Sequence, residues 1–514
     1  MHTKIFSATT IGVDTYPVEV EVDLSFGLLQ FFIVGLPDTA IKESKQRIQT
    51  ALKNSGIKLP ERKITVNLAP ADLKKEGTLF DLPIALGILH AAQILELDKA
   101  FLNETIFLGE LSLDGSIKSV KGVLPIAYDA PKIGKKRIIV STNNAQEAAL
   151  IDSIEVIGVD TLVQLIAHLR KECIIVPTKV TYALPTQNSA NSIDFSQVKG
   201  QFIAKRALQI ASAGRHNILF IGSPGSGKTM LAKRLPTIMP PMTFNEVLET
   251  SKIYSVTGKL GNTSLITQRP FRSPHHTISQ AGLVGGGSFP QPGEISLAHH
   301  GILFLDELTE FKRDTIEVLR QPLEHQSVCI ARAQHSITFP ASFLLIAALN
   351  PCPCGFLGDN KRACSCSAQQ VSKYIAKLSG PLLDRIDLQV NVSSLNYDAI
   401  TDHDAQTTSS EQLYIKVQQA VTIQRTRFGN DNMWNAYMSS DMIDTHCILT
   451  DAATALVKKA FDKLHLTMRG YHKLLKIART IADMESSEVI DIQHIKESLF
   501  YRSLDQTLEK QAHV

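Results

Sequence analysis

The stretch 217–229, NILFIGSPGSGKT, restricts what this chain can fold into more than any other. Residues 222–229 fit the spacing GxxxxGK[ST]. The apolar run before them reads as a buried strand and 230–235 as a helix, the strand–loop–helix setting that the spacing needs. Chemistry explains the residue types. Gly222, Gly225 and Gly227, with Ser223, Pro224 and Ser226 between them, let the backbone wrap so that its N–H groups face a β-phosphate at the positive end of a helix. Lys228 reaches the β- and γ-phosphates, the Thr229 hydroxyl is placed for Mg²⁺, and Met230 leads into the helix. A glycine-rich turn can match this spacing by accident; the flanking strand and helix weigh against that. The segment specifies a nucleoside triphosphate site, with ATP and Mg²⁺ as the expected ligands.

A second apolar strand, GILFLDEL (301–308), ends in two carboxylates. Asp306 is placed to hold Mg²⁺ through water, and Glu307 to orient and deprotonate the attacking water. Acidic pairs after apolar runs are common, and it is the position downstream of the phosphate loop that gives this one meaning. The next strand, FLLIAALN (343–350), ends in a polar residue, Asn350. LSGPLLDRIDL (378–388) places Arg385 between helix-like and strand-like segments, where a local ion pair with Asp384 or Asp387 is the plain reading.

The bulk numbers set limits. With 514 residues, 44% of them hydrophobic, the chain is expected to form two to four domains with substantial cores. A net charge of +3 neither demands nor excludes nucleic acid, so any DNA contact has to come from local patches. Asp14, Glu19, Glu21 and Asp23 argue against a secretory leader, and no apolar run is long enough to span a membrane. Seven cysteines, four of them between 352 and 366, do not resemble a secreted disulfide framework, and a cytoplasmic protein is expected.

Taken in order, 1–176 alternate strand-like segments (18–25, 31–37, 62–70, 136–141, 154–159) with helix-like ones (41–55, 81–95), a mixed α/β domain. Residues 177–196 are rich in Pro, Ser, Thr and Asn and read as a linker. An α/β core then runs over 197–392, and helical segments at 411–428, 450–465, 468–485 and 491–504 make 393–514 a lid.

VGLPDTAIKESKQRIQTALKNSG, ITVNLAPADLKKEG and FDLPIALGIL, with the ordered ATPase motifs, resemble the magnesium-chelatase-like AAA+ family over nearly the whole chain. The resemblance implies an AAA+ P-loop core with a helical lid, preceded by a domain similar in fold to the proteolytic domain of Lon. Lon uses a Ser–Lys dyad. Here 74–83 reads KKEGTLFDLP, without serine, and the helix due to supply the lysine begins near 120–124 with none suitably placed. A nucleophile without its activator has no covalent mechanism, so the domain is read as non-proteolytic.

The resemblance also assigns roles. The segment 194–214 precedes the nucleotide loop and contacts adenine, Asn350 is the first sensor, and Arg385 reaches the γ-phosphate held by a neighbouring subunit. TMRGYHKLLKIART (467–480) resembles the second sensor helix, with Arg469 as the γ-phosphate contact and Arg479 as the alternative. An arginine acting on a neighbour requires a ring, so a homo-hexamer is implied. RPFRSPHHTISQAGLVGGGSFPQPGEISLAHHG (269–301) matches the family's insert, which faces the ring pore. It carries Arg269, Arg272, His275 and His276 and a glycine hinge at 285–287, and reads as a flexible basic loop rather than a metal site. QSVCIARAQHSITFP (326–340) alternates like a hairpin with Arg332 and His335 near its turn. Arg272 and Arg332 are the expected DNA contacts; a solvated turn is the plainer reading of the hairpin.

NPCPCGFLGDNKRACSCS (350–367) sets Cys352, Cys354, Cys364 and Cys366 in two close pairs. Four thiolates can surround one Zn²⁺ tetrahedrally; an iron–sulfur cluster or free thiols remain open. As a whole the resemblance implies an ATP-driven DNA motor, a helicase promoting branch migration while single-stranded DNA integrates during natural transformation. The rival is a chelatase-like ATPase that remodels a protein partner during metal insertion into a tetrapyrrole. Against that rival, the chain carries no integrin-type metal-binding domain.

Overall fold

Alternation of apolar and polar side chains in VEVEVDLS leaves one face of a strand to the core, and Val18, Val20, Val22 and Leu24 are all buried. The computed structural model describes residues 2–28, 30–59, 61–180, 193–261, 263–287, 289–331, 336–359, 361–394 and 407–502. It divides into two compact units, Met1–Leu184 with Val247–Ile266 and Pro185–Glu246 with Thr267–Val514.

In the first unit, His2–Ile11, Asp14–Ser25, Lys63–Ala69 and Phe31–Val34 form a sheet in that order, the last two strands parallel. The helix Thr39–Asn54 begins where the Asp38 carboxylate accepts from the N–H of Ile41 (2.8 Å), and it buries Ile41, Ile48, Ala51 and Leu52. The helix Asp81–Ala91 is apolar nearly all round because it lies inside the core. A parallel sheet of Thr105–Phe107, Arg137–Ser141 and Glu155–Val159 completes the unit. In the stretch without serine, the Thr78 hydroxyl donates to Glu110 and the buried Lys75 ammonium to the Pro70 carbonyl.

The division is not the contiguous one expected. Val247–Ile266, in the stretch assigned to the ATPase core, belongs to the first unit. There Ser255 Oγ donates to Glu147 Oε2 (3.0 Å), and Lys252 Nζ lies 3.1 Å from the centroid of the Tyr128 ring. Sequence periodicity reports which face of a helix is buried, not which core receives it.

The second unit is built on a five-stranded sheet in the order Phe271–Arg272, Ile302–Leu305, Leu344–Leu349, Ile218–Ile221, Leu388–Asn391, all neighbours parallel. The central strands are apolar at every position because both faces are covered. The lid helices Ser410–Phe428, Ser440–His446, Asp451–Leu464, Met468–Met484 and Ile492–Phe500 start at the capping side chains of Ser409, Ser439, Thr450, Thr467 and Asp491. The second of these escapes the sequence reading because it is too short to show a period. Lys473 Nζ on Asp387 Oδ1 (2.8 Å) and Arg206 Nε on Glu497 Oε1 (2.8 Å) tie the lid to the sheet layer. Residues 181–192, most of the expected linker, lie outside the described residues. Among the described residues no helix is long and apolar enough to cross a membrane.

Candidate active site

The phosphate loop joins the strand Ile218–Ile221 to the helix Lys228–Arg234. Gly225 and Gly227 have φ of +78° and +96°, a region that residues with side chains avoid, and a Cβ on Gly222 would lie 2.2 Å from the Val392 carbonyl oxygen. Lys228 Nζ donates to the carbonyl oxygens of Gly222 (2.6 Å) and Ser223 (3.0 Å) and to Asn350 Oδ1 (3.2 Å). Burial pushes this ammonium below its ordinary pKa, against the upward pull of Asp306 and Glu307. Thr229 Oγ1 donates to Asp306 Oδ2 at 2.6 Å. Loop hydroxyl, strand-end carboxylate, lysine and sensor amide therefore converge from three adjacent strands, a set suited to Mg²⁺ and to a triphosphate.

Glu307 has φ of +51°, a strained value for a residue of its kind, and its side chain is 57% exposed. Its N–H donates to Asp306 Oδ1 (3.0 Å), which separates the two carboxylates: one turned to Thr229, the other outward, where a base can meet water. His276 Nδ1 stands 3.8 Å from Glu307 Oε2, with its ring 4.1 Å from that of His275. The sequence reads this histidine pair only as a metal site or loop and misses its place beside Glu307, for which spacing carries no signal. Among the described residues, His275 and His276 join no set of side chains able to surround one ion.

Arg385 and Arg469 are together, but not at the phosphate loop. Both guanidinium groups place Nη2 2.6 Å from the same oxygen, Glu324 Oε1. They line a cavity of about 510 Å³ with His472, Lys473 and Lys476, and no residue of 222–230 contributes to its wall. The carboxylate that Arg385 meets is Glu324, not Asp384 or Asp387. The alternative sensor, Arg479, is excluded: it is 1% exposed and spent on Asp483 and the carbonyls of Ser487 and Glu488.

The expected DNA contacts fare differently. Arg272 lies on an edge strand and forms a two-pronged ion pair with Glu294, Nε to Oε2 at 2.6 Å and Nη2 to Oε1 at 2.7 Å, a partner that the sequence reading did not identify. Arg269, unlike the half-buried Arg272, is buried, held by Glu246 and by the His300 carbonyl. Burial raises the Glu246 carboxyl, but Arg269 and Arg215 more than offset this and bring it to about 2. Nor is the glycine run a free hinge, since Gly285–Gly286 pair with Gln291–Pro292. The hairpin is present as Ser327–Ala331 against Ser336–Pro340, while Arg332 and His335 at its turn lie outside the described residues.

The four cysteines do converge. Cys352 Sγ is 3.3 Å from Cys354 Sγ and 3.6 Å from Cys364 Sγ, and all four sulfur atoms, Cys366 included, lie within 4.8 Å of one another. The N–H groups of Cys354 and Cys366 donate to Cys366 Sγ and Cys364 Sγ, both at 3.4 Å.

A parallel sheet that carries a phosphate loop, a paired-carboxylate strand and a sensor strand side by side, under a helical lid, defines a P-loop ATPase of the AAA+ class. Three family descriptions match successive parts of the chain: "Subunit ChlI of Mg-chelatase" at residues 20–144, "Magnesium chelatase, subunit ChlI" at 194–400, and "Magnesium chelatase, subunit ChlI C-terminal" at 407–502. The chain is 43% identical to competence protein ComM of Haemophilus influenzae over 98% of both chains. It is 40% identical to the protein YifB of Escherichia coli over 98% of this chain and 97% of that one. A shorter likeness, 32% over 130 residues, links 25% of this chain to 22% of Lon protease 2 of Bacillus subtilis. The chain belongs to the magnesium-chelatase-like AAA+ ATPase family, and it is an ATP-hydrolysing enzyme.

Proposed function

We propose that this ATPase assembles into a homo-hexamer that moves along DNA, as a helicase driving branch migration while single-stranded DNA is integrated during natural transformation in the cytoplasm. The observation that carries this reading is the end-to-end likeness to a competence protein, amino-terminal unit included. In this reading Lys228 grips the phosphates, Thr229 and Asp306 hold Mg²⁺, Glu307 activates water and Asn350 orients it. Arg385 and Arg469, sharing Glu324 in a cavity apart from their own phosphate loop, act as a pair on the nucleotide of the neighbouring subunit. The four cysteines hold one Zn²⁺. The amino-terminal unit is Lon-like and non-proteolytic. The family descriptions favour a second reading, remodelling of a protein partner in metal insertion.

ATP hydrolysis measured with and without single-stranded DNA, and with a porphyrin and a candidate protein partner, separates the two. Stimulation by DNA is expected, falling steeply as salt rises because phosphate contacts release counterions, and with slight sequence preference. The contact is assigned to the hairpin, so Arg332→Ala should reduce stimulation and leave unstimulated hydrolysis unchanged. Hydrolysis that responds to the porphyrin–protein pair and not to DNA would overturn the motor reading.

A further inference from the structure

The cysteine knuckle does not hang free. It grows directly out of the sensor strand, beginning one residue after Asn350, whose side chain accepts from Lys228. Gly355 in the knuckle has φ of +84° and lies against the phosphate loop: a Cβ there would sit 2.6 Å from Pro224 Cδ. The Asp359 carboxylate accepts from the backbone of Lys361 (2.7 Å) and Arg362 (3.2 Å), and Asp359 lines one cavity together with Ser223 of the loop. On the other side, Cys352 is fully buried with Val371, Tyr374 and Ile375, and the Tyr374 hydroxyl accepts from Thr309 Oγ1 (2.6 Å), two residues beyond Glu307. One small element thus touches the loop that wraps phosphate, the sensor and the segment after the catalytic pair.

Its own means of staying folded are few. Its apolar core is the four residues just named with Leu357 packed against them; apart from Phe356 and Ala363, the rest of 351–367 is Pro, Gly, Ser, Asp, Asn, Lys and Arg with the remaining cysteines. The sulfur separations of 3.3 and 3.6 Å are too long for a disulfide, near 2.05 Å. They are close to the roughly 3.8 Å edge of a tetrahedron built on Zn–S bonds of about 2.3 Å. Thiolate ligands and tetrahedral spacing favour zinc over the oxygen-seeking cations.

We infer that Cys352, Cys354, Cys364 and Cys366 hold one zinc ion that braces the nucleotide site, so that ATP binding depends on metal occupancy. The inference rests on the reading of 222–229 as the phosphate loop. Ligation fixes where Gly355 presses on Pro224, and loss of the ion frees the loop to leave its phosphate-wrapping shape.

The test uses the full-length chain. Metal content should be about one zinc per chain, and Co²⁺ substituted for zinc should show the intense thiolate-to-metal absorption of a tetrahedral four-sulfur site. Removing zinc from the wild-type protein with a mercurial and a chelator should weaken binding of a fluorescent ATP analogue by about tenfold or more, the usual scale for losing a supporting shell. Adding Zn²⁺ back should restore it. Gly355→Val, which presses on Pro224 without altering a thiol, should keep its zinc and still bind the analogue more weakly. Protein that binds no zinc, or iron in its place, overturns the metal assignment. Metal-free protein and Gly355→Val that both bind nucleotide as tightly as wild type overturn the brace. If instead Lys228→Ala bound the analogue like wild type, it is the phosphate-loop reading that would have failed.

Discussion

Lys228→Ala abolishes nucleotide binding, whereas Glu307→Gln binds ATP normally and loses about a hundredfold or more in turnover: that is the expected pair of results. The contrast follows from where the two side chains stand. Lys228 is buried at the mouth of the loop, bonded to Gly222, Ser223 and Asn350, where its ammonium would meet the phosphates. Losing it removes ground-state affinity. Glu307 projects outward, its side chain 57% exposed, while Asp306 takes the Thr229 hydroxyl. Glutamine keeps its size and loses the ability to accept a proton from water, an effect on the chemical step of about 10²- to 10⁴-fold. Equilibrium binding of a fluorescent analogue and steady-state hydrolysis measure the two halves separately. Full turnover in Glu307→Gln would show that another residue is the base.

The second large effect concerns the arginines. Arg385→Ala is expected to lower kcat about a thousandfold while each subunit still binds ATP, because a guanidinium on the transferred phosphoryl group stabilises charge that is greatest in the transition state. Arg469→Ala should fall in the same direction, since both side chains converge on Glu324 Oε1. Subunit mixing tests whether the arginine acts on a neighbour. Lys228→Ala subunits cannot bind nucleotide but carry an intact Arg385; Arg385→Ala subunits bind nucleotide but lack the arginine. A mixture should recover part of the activity at junctions where one supplies what the other lacks. Activity equal to the sum of the two inactive proteins would mean that Arg385 serves its own subunit.

What could be read from the sequence, and what could not, divides along the range of the interactions. The phosphate loop, the Asp306–Glu307 strand and Asn350 were legible because each is a local pattern whose chemistry is set by a few consecutive residues and whose strands are apolar throughout. The lid helices were legible from their period and their caps, such as Thr467 before Met468–Met484. For Arg272 a sequence displays the charge and hides its partner, Glu294, twenty-two positions on. Arg469 lies on the helix Met468–Met484 that its period predicts, yet its neighbourhood depends on how the lid is fastened, through Lys473 on Asp387 and Arg206 on Glu497. The same limit hid Glu324, His276 beside Glu307, and the departure of Val247–Ile266 to the amino-terminal unit. The cysteines show both sides. Their pairing pointed to one tetrahedral ion, but only the fold puts Gly355 against Pro224 and Asp359 in one cavity with Ser223.

The central claim is that ATP hydrolysis at this site moves DNA. Its most direct measurement is displacement of a labelled strand from a three-stranded branched DNA by the purified full-length protein with ATP and Mg²⁺. Displacement is expected with the wild-type protein, and none with a non-hydrolysable ATP analogue or with Glu307→Gln, which still binds ATP. Hydrolysis by the wild-type protein that proceeds at the same rate with and without the branched DNA, and leaves the labelled strand in place, would contradict it.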